Sequence, residues 1–321
     1  MERTISDYLM APWTIGVVFA AIRLKLFTIL SDGEMPAEEI SGQCRANPRF
    51  LRPLLDACVA LGLMNSQGNN YTNSDFSRIY FVEGRESYVG DFLDLLNDES
   101  ARWYDMPEII RGTHEAGLVK AYLQTDYGTF IRAMDNIGRL GEAAALRDAV
   151  DLSGRREMVD AGGGSGLYSI TLCRKYPDLH STILDRGEVL AVTREMIADC
   201  AVKDRITLRE TDLVEDSYGE GIGVVLLSDV IYEETSALRV LENAWNCLRP
   251  EGLLLIRGYY ADPEGTRPLF GALFAVKELV DDAQRTIMTV SALEKNVRNV
   301  GFAISRMSPL TEYSFLLVGR K

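Results

Sequence analysis

The segment Val159-Asp160-Ala161-Gly162-Gly163-Gly164-Ser165-Gly166 follows an apolar run and opens a helical one, Leu167 to Lys175. Glycines suit such a turn because the chain must bend sharply and let a ligand approach the backbone, with helix N–H groups aimed at it. The spacing is GxGxG, and Leu167 stands where a dinucleotide fingerprint needs its third glycine. Asp185 closes the next apolar run, where a carboxylate can accept two hydrogen bonds from a ribose diol. Asp212, just beyond a third run, is placed to reach an adenine edge, and Asp160 completes the set. A glycine-rich turn or an acid at a strand end says little alone. Three acids in register with a strand, a glycine loop and a helix define a nucleoside-cofactor site.

These residues need strands to carry them. From Glu157 onward, short apolar runs alternate with helical segments, which predicts strands at Glu157 to Asp160, Ser181 to Asp185, Ile206 to Arg209, Val224 to Ser228 and Leu253 to Arg257. That rhythm is α/β, a doubly wound parallel sheet over residues 151–321. Phe302 to Met307 and Tyr313 to Val318 have no helix between them, so they form a hairpin with one strand antiparallel to the rest. Upstream, helices are predicted at Trp13 to Leu30, stopped by Gly33, at Pro36 to Cys44, and at Pro48 to Leu61. Strand-like Leu63 to Asn65 and Asn70 to Thr72 follow, and residues 1–86 thus have the order of a winged helix. Its third helix has a broad apolar face with only Arg49 and Arg52 near the start, which favours packing or dimerisation over DNA reading. Residues 87–150 read as a helical connecting region rich in aromatics. There Trp103, Phe130 and Met134 either pack helices together or form one wall of an acceptor pocket.

Length and charge bound the remaining choices. A chain of 321 residues exceeds what one core usually supports, so two domains are expected. A net charge of −13 opposes nucleic-acid binding, which draws its affinity from Lys and Arg displacing counterions, and opposes an anionic membrane surface. Cys44, Cys58, Cys173, Cys200 and Cys247 fit neither a metal-ligand spacing nor a disulfide framework and read as thiols of a cytoplasmic protein, with no metal implied. The opening MERTISDYLMAPW carries charges where a secretory leader needs an apolar run. Ile15 to Leu30 is interrupted by Arg23 and Lys25, so a membrane span is not expected either.

Taken together, these segments resemble the two-domain O-methyltransferases, similar to plant caffeate and flavonoid enzymes and to bacterial relatives acting on polyketides, phenazines and pigments. The likeness covers nearly the whole chain: the N-terminal module, Phe130 to Met134, the glycine loop, Ile183 to Leu190, Arg205 to Leu213, and the closing pattern of Arg285, Thr286, Val300, Gly301 and Phe302. It implies a class I, Rossmann-like methyltransferase domain behind an all-α winged-helix dimerisation domain. S-adenosylmethionine is then the cofactor, and the chain a homodimer whose N-terminal helices help close the partner's pocket around a small-molecule acceptor. Carried over by position, Gly162 and Gly164 face the methionine part of the cofactor, Asp185 the ribose, and Asp212 with Leu213 the adenine. Ser228 lines the sulfonium side, and Asp160 and Arg186 belong to the same set.

The departures lie in the catalytic group. The family usually reads S-R-V-L-H-D-W after the fourth strand, and that His takes the acceptor's proton. This chain reads Ser228-Asp229-Val230-Ile231-Tyr232-Glu233-Glu234. Aligned from the strand, Tyr232 replaces the His; aligned backward from Ala237-Leu238-Arg239, Val230 does. Its two histidines, His114 and His180, fall in a polar break and just before the second strand. A phenol titrates at about 10, roughly 3.5 units above imidazole, so Tyr232 is a poor base and a better orienting group. Asp229 and Glu233 are the nearest carboxylates that could act as a base, their basicity raised by burial. Tyr259 and Tyr260 are expected to line the pocket, and Arg257 is either an ion-paired or surface residue or a clamp for a substrate carboxylate. Three functions follow: methyl transfer by alignment, with oxygen the first choice of acceptor and carbon or nitrogen next; a cofactor-keeping relative that decarboxylates or cyclises; and a winged-helix sensor of S-adenosylmethionine.

Overall fold

Thr4 and Asp7 open the first helix, α1 (Ile5–Arg23), as a capping box, with Thr4 N and Oγ1 donating to the Asp7 carboxylate at 2.7 and 3.0 Å. In this computed structural model, which describes residues 4–104, 106–112, 126–231, 234–262, 264–281 and 288–321, the chain divides into two units, Met1–Ala101 and Arg102–Lys321. The helix predicted over Trp13 to Leu30 begins earlier and is broken: Lys25 adopts a left-handed φ of 54° and separates α1 from a single turn, α2 (Leu26–Ile29). Pro36 also departs from expectation. Its backbone is extended, pairing in the short strand β1 (Met35–Pro36) and capping α3 (Ala37–Gln43) rather than lying inside the helix.

Next, α4 (Pro48–Ala60) starts on Asn47, whose side chain accepts from Arg49 N at 3.0 Å. Leu51, Leu55 and Cys58 share one face and are buried with Leu26, Phe27 and Tyr71. The hairpin β2 (Met64–Gln67) and β3 (Asn70–Asn73) pairs antiparallel, and β1 adds to its β3 side. Then come α5 (Asp75–Tyr80), capped by Ser74, and α6 (Gly90–Tyr104). On α1, Ile5, Leu9 and Trp13 are 72%, 66% and 77% exposed, and the helix is long and apolar enough by composition to cross a bilayer.

The second unit continues as α7 (Met106–Ile110), α8 (Tyr127–Ile137), a widened turn at Gly138–Glu142 kinked where Gly141 takes φ 114°, and α9 (Ala143–Ala149). His114 lies outside the described residues. The α/β part runs β4 (Glu157–Ala161), α10 (Leu167–Lys175), β5 (His180–Asp185), α11 (Gly187–Ile197), β6 (Ile206–Glu210), β7 (Ile222–Ser228), α12 (Glu234–Cys247) and β8 (Leu248–Gly258). It closes with α13 (Leu269–Asp281), α14 (Val290–Val300), β9 (Ala303–Pro309) and β10 (Phe315–Arg320).

The strands make one seven-stranded sheet in the order β6-β5-β4-β7-β8-β10-β9, in which β10 runs antiparallel to both neighbours. Side-chain alternation sorts β7 and β8 between two cores: Val225, Leu227, Leu254 and Ile256 enter one, Val224, Leu226 and Leu255 the other. Burial on both faces is why these strands read as continuous apolar runs. Strand order reverses between β4 and β7, so the crevice beyond their carboxyl ends is where such a sheet holds a ligand.

Leu55 is completely buried in the N-terminal unit. Leu55→Ala is expected to destabilise that unit by about 2–5 kcal/mol, read as a fall in its urea midpoint. An unchanged midpoint would show that the site collapses freely or that the helix packs otherwise.

Candidate active site

The carboxyl end of β4 turns into α10 through a loop in which Gly162, Gly164 and Gly166 take φ of 74°, 51° and 79°. Gly162 N donates to Leu184 O at 2.7 Å, and Thr193 Oγ1 to Gly164 O at 2.6 Å, so the loop is fastened to β5 and α11. At Gly162 glycine is obligatory twice over: the backbone is left-handed, and a Cβ there would stand 2.2 Å from Val230 Cγ1. A Cβ on Gly164 would meet only Ile131 of α8, at 3.6 Å, leaving its outer side open for a ligand against the backbone.

The acids divide by depth. Asp185 Oδ2 accepts from Gly164 N at 3.0 Å and Oδ1 from Arg186 N at 2.9 Å, so the carboxylate is pinned beside the loop; burial pushes it up and these two N–H groups work against that. Arg186, exposed, lays its guanidinium 4.8 Å from the Tyr127 ring centre. Asp212 is exposed, and its Oδ1 accepts from Val214 N and Glu215 N at 2.8 and 3.1 Å, which fixes the turn presenting Leu213 toward Gly162. Asp160 lies under the loop with no exposed surface. One oxygen accepts from Ser169 Oγ at 2.6 Å, the other has no partner, and burial pushes the group up to about 6. Glycines at positive φ, an open face at Gly164 and a pinned acid at ribose distance along the chain fit a nucleoside cofactor.

At the end of β7, Ser228 is followed by Asp229 at φ 54°, whose N donates to Arg257 O at 2.9 Å. Arg257, 2% exposed, is neither a surface residue nor a free clamp. Its Nε and Nη2 donate to Glu142 Oε2 at 3.0 and 2.6 Å, and Nη1 donates to Asp229 Oδ2. Glu142 also accepts from Ser314 Oγ at 2.6 Å and from Thr311 Oγ1. The guanidinium lies 4.1 Å from the Tyr259 ring centre and 5.9 Å from that of Tyr168. Burial works against its charge, and Tyr168, Tyr259 and Glu142 more than restore it.

The expected wall residues part company. Phe130 and Met134 stand one turn apart on α8, 43% and 37% exposed, and Trp103 is similarly half-open on α6. Tyr259 packs with Phe270 and Phe274 of α13, ring centres 4.9 and 5.4 Å away. Tyr260 points the other way into the core, 4% exposed, and burial pushes its phenol up. Tyr232 and Glu233, and the Arg285-Thr286 pair, lie outside the described residues. Phe270 and Phe274 were not anticipated, although their i, i+4 spacing was visible in the sequence; nothing local marked Glu142, Thr193 or Tyr168. His180 is exposed at the first residue of β5, at the end of the strand away from Asp185.

A switch-point crevice with a fastened glycine loop and flanking acids defines a class I methyltransferase fold. Residues 6–83 match the O-methyltransferase dimerisation domain and residues 118–301 the O-methyltransferase domain. The chain belongs to the O-methyltransferase family, and is by that membership an S-adenosylmethionine-dependent methyltransferase. Among its relatives, the 3-hydroxy-5-methyl-1-naphthoate 3-O-methyltransferase of Streptomyces sahachiroi is 28% identical over 86% of this chain and 82% of its own. An N,N-dimethyltransferase of Streptomyces rimosus is 24% identical over 77% and 75%. The crystal structure of human N-acetylserotonin methyltransferase, in complex with S-adenosylmethionine, superposes with a TM-score of 0.87 over 99% of this chain and 96% of its own at 22% identity, a likeness of fold.

Because the folded Asp160 carboxyl titrates near 6 against an ordinary 3.8, the folded state holds its proton more tightly. Its contribution to stability is complete below about pH 3.8 and is lost as pH rises through about 6, with a slope approaching 1.4 kcal/mol per pH unit. Asp160→Asn is expected to remove that component, measured as urea midpoints of both forms from pH 4 to 7. Parallel curves for the two forms would refute the assignment.

Proposed function

We propose that the protein transfers a methyl group from S-adenosylmethionine to a small aromatic or otherwise hydrophobic acceptor, as a homodimer, chiefly by holding the two partners in line. Bound S-adenosylmethionine supplies an electrophilic methyl group on a sulfonium. The observation that carries the reading is the pair of apolar surfaces in the same unit as the glycine loop, Phe130 with Met134 on α8 and Tyr259 with Phe270 and Phe274. Phe130 and Met134 are open enough to meet a ring, and His180, exposed at the far end of β5 from Asp185, is no candidate for the family's base.

With that base gone, an acceptor that is already nucleophilic needs alignment above all, and approximation alone contributes several kcal/mol, on the order of the barrier reduction required. Gly162 and Gly164 let the methionine part of the cofactor approach the backbone, Asp185 with Arg186 takes the ribose, Asp212 with Leu213 the adenine, and Ser228 the sulfonium side. Tyr232 orients the acceptor, with Asp229 and Glu233 as the neighbouring carboxylates. Oxygen is the first choice of accepting atom; the naphthoate O-methyltransferase and the N,N-dimethyltransferase among its relatives are named for acceptors of oxygen and nitrogen. The dimerisation domain supports association through residues 6–83, for which the apolar outer side of α1 offers a surface.

The test is incubation with methyl-labelled S-adenosylmethionine and aromatic hydroxy, amino and carbon acceptors, following S-adenosylhomocysteine by mass spectrometry. Conversion of an acceptor without that by-product would replace methyl transfer by a decarboxylating or cyclising reaction. Within the methylating reading, Tyr232→Phe should lower turnover by about tenfold, the size of one neutral hydrogen bond. Turnover of the wild type should stay flat from about pH 6.5 to 9, since no base of the 10²–10⁴ class is engaged. A thousandfold drop with cofactor affinity intact would make Tyr232 the proton acceptor.

A further inference from the structure

Beside Ser228 two carboxylates, buried Glu142 and part-buried Asp229, share one buried cation, which leaves a surplus negative charge. Among the described residues Arg257 is the only buried Lys or Arg, and it is shared by two carboxylates, Glu142 and Asp229. Glu142 is amply satisfied, taking two donors from Arg257 and one each from Ser314 and Thr311. Asp229 has one side-chain donor, and its Oδ1 is buried without any. The surplus charge therefore rests on Asp229. Its backbone follows Ser228 directly, and its successor Val230 lies against Gly162.

We propose that Asp229 is the counter-charge of the sulfonium, a specificity-determining residue that makes the site favour the cationic methyl donor over its neutral thioether product. The inference rests on the proposed placement of the donor's methionine and sulfonium portion between Gly162 and Ser228. S-adenosylmethionine and S-adenosylhomocysteine share their adenine, ribose, amine and carboxylate, and differ by the methyl group and the positive charge on sulfur. Contacts at Asp185 or Asp212 act on both alike, so discrimination comes from what surrounds the sulfur and its methyl group, and a negative charge there favours the sulfonium. A part-buried surplus charge a few residues' width away, in an effective dielectric of about 20, separates the two by about tenfold. Loss of that attraction once the methyl group has left also hastens release of the thioether. Asp160 is the rival source, being buried and short of one donor, but it lies beneath Gly163 on the inner side of the loop.

The experiment is titration calorimetry at low ionic strength of S-adenosylmethionine and S-adenosylhomocysteine, separately, into wild type, Asp229→Asn, Asp229→Glu, Asp160→Asn and Asp185→Asn. Asparagine tolerates the left-handed backbone of position 229, so the fold should be retained, as circular dichroism will verify. Asp229→Asn is expected to weaken S-adenosylmethionine by about tenfold while moving S-adenosylhomocysteine by less than about threefold. Asp229→Glu should keep the wild-type preference, and Asp185→Asn should weaken both ligands equally. An equal shift of both ligands in Asp229→Asn, no shift in either, or a collapse of the preference in Asp160→Asn alone would each overturn the inference. Wild type that binds neither ligand would instead overturn the donor placement, and this inference with it.

Discussion

A guanidinium held at 2% exposure has to be paired or it cannot stay, since removing an ion from water costs several kcal/mol even after the protein relaxes. Arg257 meets that constraint with partners from two other parts of the unit, Asp229 at the end of β7 and Glu142 in the turn after α8, while Thr311 and Ser314 of the last hairpin bind Glu142 in turn. None of these elements can shift without leaving a charge or a hydroxyl unpaired in the interior. The end of β7, the turn that follows α8 and the hairpin loop therefore behave as one body, and their relative placement follows from this single cation.

That body meets the cofactor crevice at two points. Val230 closes over Gly162, and Ile131 of α8 rests on Gly164, so the end of β7 and α8 both pack on the glycine loop. The acids around it share a sign but differ in duty. Asp185 and Asp212 organise backbone N–H groups around themselves, whereas Asp160 and Asp229 each keep an oxygen without a donor. Incompletely satisfied carboxylates are costly in a protein interior, and here both lie next to the glycine loop, Asp160 beneath it and Asp229 one residue before Val230, which packs on Gly162.

Much of this was legible in the residue order. The apolar runs of β4, β7 and β8 announce strands buried on both faces, the missing helix before β10 announces its reversal, and the glycine loop between β4 and α10 agrees with the family's S-adenosylmethionine domain. Tyr259 and Tyr260 illustrate a signal that was present but unused: consecutive residues leaving a strand face opposite ways, so only one can face the pocket. Other features had no local signature. Lys25 breaks α1 in a conformation for which its side chain shows no preference, and Pro36 serves a strand because Asn70 lies opposite it. Glu142 and Arg257 are separated by 115 residues, and only the folded chain brings them together.

The widened turn at Gly138–Glu142 follows α8 directly and ends on the carboxylate that pairs with Arg257. A regular helix advances about 100° per residue, so one codon gained or lost in this turn would rotate α8 by about that angle relative to Glu142. Phe130, Ile131 and Met134 would all turn with it, so the contact of Ile131 with Gly164 would be lost and the pairing of Glu142 with Arg257 would have to be rebuilt. The length of this turn is therefore set by the same cation that sets the end of β7 and the last hairpin, and a change of one residue here reaches all three.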